Sequence, residues 1–193
     1  RTAFDEAGGE EDRSAMHRLF VALRPPEAIR DPLIDTMEGV EGARWQADEQ
    51  LHLTLRFVGE VDRAQANDLA SALEAVRAPR FALDLRSVGT FERKGRVGSL
   101  WAGVEESEPL NILQRRVERA CRAAGLEPVT RKFVPHVTIA RVNSSTGPIG
   151  GWLAQHSRLA LPVWQVETFH LYESRLDAGG AHYEPVVAFP LTD

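Results

Sequence analysis

Two short segments of this chain repeat one pattern: Leu51-His52-Leu53-Thr54-Leu55 and Pro135-His136-Val137-Thr138-Ile139. In each, a histidine and a threonine stand two residues apart between apolar neighbours, in a stretch rich in strand formers. A β-strand turns alternate residues to one face, so each segment presents an imidazole beside a hydroxyl while its apolar residues enter a core. With 6 His in 193 residues, shuffling places a His two positions before a Thr roughly 0.3 times. Two copies in matched apolar settings predict two strands that bury one face each and bring their His-Thr faces to a common cleft. The copies lie 84 residues apart, from 52 to 136, close to half of the chain beyond residue 15. That spacing predicts two similar lobes around a shared groove.

The pattern between the motifs fits this frame. His17 to Leu23 reads as a strand ended by Arg24-Pro25-Pro26, and Ile29, Leu33, Ile34 and Met37 recur at helical intervals up to about Glu38, with Pro32 restricting that helix. The first motif strand is expected over His52 to Val58, closed by Gly59. Asp62 can cap a helix over 63–77. Phe81 to Leu85 alternates and is the expected hairpin partner of Val97 to Val104. Ser107 or Glu108, followed by Pro109, opens an amphipathic helix through Leu110, Leu113, Val117 and Cys121 that Gly125 ends. The second motif strand is expected over Phe133 to Val142, then a loop with one helical turn over 147–156, then strands over Val163 to Tyr172 and Tyr183 to Phe189. The order predicts an α+β fold, bilobal, each lobe with an antiparallel sheet and helices and the groove between them.

Composition bounds the class. The chain is 43% hydrophobic and 26% charged, as in ordinary globular domains, and no apolar run reaches the roughly 18 residues of a membrane span. Residues 1–15 are acidic, polar and glycine-containing; they read as a flexible leader or a remnant of cloning, with a single domain over 16–193. The lone Cys121 lies in a helical stretch, which fits a reducing cytoplasm and no disulfide. A net charge of −5 argues against a protein that coats nucleic acid by bulk electrostatics, though a small basic pocket for one phosphate is compatible with it.

Two histidines across a cleft can move two protons in one reaction, a neutral imidazole taking one from the nucleophile and an imidazolium giving one to the leaving group. Threonine hydroxyls beside them can donate to the oxygens of a phosphate. His-Glu-x-x-His, paired Cys-x-x-Cys, a phosphate-binding Gly-rich loop and a Gly-x-Ser-x-Gly elbow are all absent from the sequence, so no metal or cofactor is expected. Around this set of four, Arg56 shares strand parity with His52 and Thr54 and could add positive charge. Arg141 has the opposite parity to His136 and Thr138 and would need a bulge or strand twist to reach the groove. Trp45 and Tyr172 are candidates for stacking on a nucleobase.

The segments HLTLRFVGE from His52 and FVPHVTIAR from Phe133 resemble the paired His-x-Thr-x signatures of the 2H phosphoesterase superfamily, most closely its bacterial RNA 2',3'-cyclic phosphodiesterases, also described as 2'-5' RNA ligases. RLFVALRPP from Arg18, ARW at Ala43 to Trp45 and LYESRL from Leu171 extend the resemblance over most of the chain. It implies hydrolysis of 2',3'-cyclic phosphate ends of RNA or nucleotides to 2'-phosphomonoesters, with His52 as proton donor, His136 as proton acceptor, and Thr54 and Thr138 on the phosphate. The division of labour between the histidines follows from the resemblance alone. Arg131 matches a basic position that precedes the second motif in that group. Ligation to a 5'-hydroxyl in the same site and a non-catalytic RNA-end or nucleotide-binding module are the alternatives. No obligate protein partner is implied.

Overall fold

The computed structural model describes residues 4, 16–178 and 180–192. In chain order the elements are β1 (Met16–Leu23), α1 (Glu27–Ile34), β2 (Arg44–Trp45), a 3-10 turn (Asp48–Gln50), β3 (Leu53–Asp62), α2 (Arg63–Glu74), β4 (Phe81–Leu83) and β5 (Leu85–Arg93). They continue with β6 (Arg96–Val104), α3 (Glu108–Ala123), β7 (His136–Arg141), α4 (Gly150–His156), β8 (Trp164–Val166), β9 (Thr168–Asp177) and β10 (Gly180–Pro190). The main sheet is antiparallel and runs β10-β9-β1-β3-β7-β6-β5, with β2 added on β7; β4 and β8 pair separately.

The expected doubling is present in the topology. β1-α1-β3-α2-β4 and β6-α3-β7-α4-β8 repeat one order of elements, each with its first two strands paired antiparallel, and their last strands pair with each other. The two halves meet in the middle of the main sheet, where β3 and β7 share the single pair Leu53 and Val137. Leu19, Val21 and Leu23 of β1, Leu53 and Leu55 of β3, and Val137 and Ile139 of β7 are buried with the apolar stripes of α2 and α3, Leu69, Leu73, Leu113 and Val117 among them. Burying such side chains is worth about 1.5–3 kcal/mol each, and it fixes which face is left for the groove. The caps are those the sequence signals: Asp62 accepts from Gln65 N at 2.8 Å and Ser107 from Leu110 N at 3.3 Å.

Several boundaries move, each for a local reason. β3 continues past Gly59 to Asp62, because Gly59 sits at φ +90° in a bulge rather than at a strand end. β7 begins at His136, not Phe133, since Pro135 has no N–H for the ladder. The partner of β6 is β5, with its turn at Lys94-Gly95, while Phe81–Leu83 crosses to β8. The strand expected over Val163 to Tyr172 divides at Glu167 into β8 and β9, which serve different sheets. The α1 helix ends at Ile34, and 150–156 form a seven-residue helix rather than one turn. Of the expected leader only Phe4 is described, buried with its ring 4.9 Å from that of His17; the rest of that expectation lies outside the described residues. No helix among the described residues is long and apolar enough to cross a membrane.

Candidate active site

The antiparallel pair Leu53 and Val137 sets His52 across from Thr138 and Thr54 across from His136. All four line one cavity of about 220 Å³ on the sheet face opposite the helices, together with Arg18, Phe20, Gln46, Phe57, Arg141 and Tyr183. The near-twofold axis passes through the apolar pair beneath them.

Both histidines are held the same way. His52 Nδ1–H donates to the Gln50 carbonyl at 2.7 Å and His136 Nδ1–H to the Val134 carbonyl at 2.8 Å. A carbonyl only accepts, so Nδ1 carries the proton and Nε2 is the nitrogen left for chemistry in each neutral ring. The His52 side is braced further: Asp48 binds Arg24 at 2.9 Å and Arg30 at 2.7 Å, and Gln50 Nε2 donates to the Ala181 carbonyl of β10 at 2.7 Å. Hydrogen bonding to Arg30 holds the Asp48 carboxyl below its usual range. Aromatic rings flank each imidazole, Phe20 at 4.8 Å and Tyr183 at 5.2 Å from His52, Phe91 at 4.6 Å and Trp101 at 6.2 Å from His136. Burial among these groups pushes His52 down to about 4, against the Gln50 hydrogen bond, and the charges of His136 and Arg141 push the same way. His136 is lowered as well, first by burial and then by Arg141.

The motif strands share one more device. On β3, Ala22 pairs with Thr54 and Val21 with Arg56, which leaves Leu55 as an extra residue; on β7, Trp101 pairs with Thr138 and Leu100 with Ala140, which leaves Ile139. Each bulge reverses the parity of the residues after it. Arg56, which simple alternation puts beside His52 and Thr54, therefore turns to the helix side. It is 8% exposed, ion-pairs with Glu118 at 2.7 Å and donates to the carbonyls of Phe57 and Glu127. Arg141 is turned into the groove by the equivalent bulge, at the place Phe57 occupies in the first half.

Tyr172 also departs from expectation. It is 4% exposed, stacked behind Phe20 at 5.1 Å and 9°, and the groove ring is Tyr183 on the neighbouring strand. Trp45 is half-buried against Trp152 and borders a side cavity with Arg141. Arg131 lines a cavity on the other side of His136, with Thr54 and Phe57. Phe20, Tyr183, Phe91 and Trp101 were not singled out by the motifs; Phe20 was legible from alternation along β1, whereas the other three depend on strand pairing. Cys121 is fully buried and its thiol is pushed up to about 12, which removes it as a nucleophile. Among the described residues no three His, Cys, Asp or Glu side chains cluster as a metal site would require.

Trp101 rests on the backbone of Gly89, where a Cβ would lie 2.3 Å from its ring. Gly89→Ala is expected to displace the indole from beside His136, lowering stability by about 1–3 kcal/mol and reducing kcat/KM. A urea midpoint and activity equal to those of the parent would count against this packing role.

The family described as LigT like phosphoesterase matches residues 23–101 and again 103–183, once for each half. An RNA 2',3'-cyclic phosphodiesterase of Geobacillus stearothermophilus is 34% identical over 76% of this chain, which spans about half of that relative (47%). One of Escherichia coli is 31% identical over 93% of this chain and 99% of its own length. The crystal structure of E. coli LigT complexed with 3'-AMP superposes with a TM-score of 0.75 at 26% identity, covering 93% of this chain and all of that one (100%). The doubled His-x-Thr faces, the two-half topology and these likenesses converge, and the chain belongs to the LigT-like phosphoesterase family.

Proposed function

We propose that the protein hydrolyses 2',3'-cyclic phosphates at RNA or nucleotide ends to 2'-phosphomonoesters. The observation that carries this is the facing pair of Nδ1-anchored imidazoles, each diagonal to the other across a Thr, in a groove that also holds Arg18 and Arg141. The names of the curated relatives, and the 3'-AMP bound in the LigT neighbour, support it. In this reaction water attacks phosphorus and His136 Nε2 takes its proton. The bond from phosphorus to O3' breaks, and His52 Nε2–H gives its proton to that oxygen. Thr54, Thr138 and Arg141 meet the charge on the non-bridging oxygens. The scheme moves two protons and calls on no metal. Assigning His52 as acid follows the family resemblance. We place the protein in the cytoplasm, where a single buried thiol stays reduced.

The test is turnover of 2',3'-cyclic nucleotides and oligonucleotides in the presence of chelator, with the product phosphate located by NMR. A 2'-phosphate is expected. Binding without conversion, or a rate abolished by chelator, would replace this reading.

The pKa directions set the pH dependence. Both histidines are neutral in the empty groove at pH 7, because burial lowers His52 to about 4 and takes His136 below its usual value. The kcat/KM profile reports the free enzyme: it rises as the base deprotonates and falls as the acid does, so both limbs lie below the ordinary imidazole value of about 6.5. A bound phosphate anion favours protonated imidazole and raises both values, so the kcat bell is displaced to higher pH. The apparent values belong to the pair. A kcat/KM that climbs between about pH 6.5 and 8 would contradict this.

A further inference from the structure

The groove continues past the histidines into two wings, and their inequality is informative because the centre is nearly symmetric. The smaller wing, reached past Gln46, Arg141 and Tyr183, which border both it and the central cavity, is about 270 Å³ and has Gln50, whose carbonyl anchors His52, on its wall. The wing at His136 is about 480 Å³ and opens directly from Thr54, Phe57 and His136, which border it and, all three, the central cavity. One side of it is apolar and aromatic, where Phe57 is 51% exposed, Val134 43% and Val129 44%, with Phe91 and Phe133 beside them, while Arg56, held by Glu118, and Gln114 line its floor. Arg131 and Lys132 stand at its rim, and neither has an ion-pair partner among the described residues. Among the described residues Glu92 is the only carboxylate on its walls, so the wing is net positive.

We infer that this wing is a second nucleotide subsite, which binds the nucleotide preceding the one that carries the cyclic phosphate and makes the enzyme prefer oligonucleotide ends. The inference rests on the proposed hydrolysis and adds chain-length preference to it. On this inference the cyclic phosphate and its own nucleoside occupy the central cavity and the smaller wing, about 220 and 270 Å³, and the larger wing takes the nucleotide that precedes them. A ring face beside a cation is what one RNA nucleotide requires, its base stacking and its phosphodiester neutralised. Phe57 and Phe133 supply the ring faces, and Arg131 and Lys132 the charge.

The test compares kcat/KM for the dinucleotide ApA 2',3'-cyclic phosphate with that for adenosine 2',3'-cyclic phosphate. The parent is expected to favour the dinucleotide by about tenfold. Phe133→Ala and, at an exposed position, Lys132→Glu are each expected to bring the ratio towards one, and added salt to shrink the parent's preference. Turnover of both substrates at equal kcat/KM, or variants that lower both rates alike, would overturn the subsite and leave the hydrolytic reading intact. Conversion of neither substrate would overturn the hydrolytic reading itself. The subsite is then read by calorimetric titration, where ApA 3'-phosphate must bind more tightly than 3'-AMP for the inference to stand.

Discussion

His52→Ala and His136→Ala are each expected to lower kcat for a 2',3'-cyclic nucleotide by about 10²–10⁴-fold, the contribution of one positioned proton-transfer group. The fold should survive both changes, because each ring sits at the groove face rather than in the core and its anchor is a single bond to a backbone carbonyl. The double variant is expected to lose little beyond the worse single one, since one reaction uses both protons and removing either already disables the concerted step. The pH profiles separate the roles. Loss of the base removes the acid limb of kcat/KM, and loss of the acid removes the alkaline limb. If His52→Ala removes the acid limb instead, the two histidines exchange roles and the chemistry stands. Full activity in the double variant would end the proposal of paired histidine catalysis.

What the sequence made legible, and what it left hidden, divides along a physical line. Local patterns held: the His-x-Thr alternation, the Asp62 and Ser107 caps and the apolar stripe of α3 are set by neighbours a few residues away. Properties set by pairing did not. Parity counted from Thr54 and Thr138 assumes regular strands, yet a residue inserted after each threonine sends Arg56 inward and Arg141 outward. Nothing in LTLRF or VTIAR distinguishes a bulged strand from a regular one, because the bulge is defined by the partner strand. The same limit explains Tyr172 and Tyr183: both are aromatics on late strands, and only the stacking of Phe20 on Tyr172 decides which ring reaches the groove. The break at Glu167 was equally hidden, since Trp164–Val166 and the residues from Thr168 are all good strand formers that end in different sheets.

Arg56→Ala is expected to destabilise the protein by about 3 kcal/mol, the scale for removing one partner of a buried ion pair. Arg56 is 8% exposed and the Glu118 side chain 19%, so truncation leaves a carboxylate with little access to water and no counter-charge. The Glu127 carbonyl loses its donor at the same time. These groups form one brace between the halves. Arg56 comes from the first motif strand, Glu118 from α3, and the other Glu118 oxygen accepts the Val129 N–H at 3.1 Å. Together they fasten the segment from Leu126 to Pro135, which has no regular structure of its own and delivers Val134, whose carbonyl orients His136. For a chain of this size about 3 kcal/mol corresponds to a fall in Tm of about 6–12 °C. Arg56→Met should fall less than Arg56→Ala, because it replaces the buried stem, although Glu118 remains unpaired; adding Glu118→Gln to it should recover part of the loss. The site feels the change indirectly: below the new Tm, kcat falls as the His136 anchor loosens, while KM changes little. A substrate-binding arginine would behave in the opposite way, raising KM at unchanged Tm, and that result would return Arg56 to the groove.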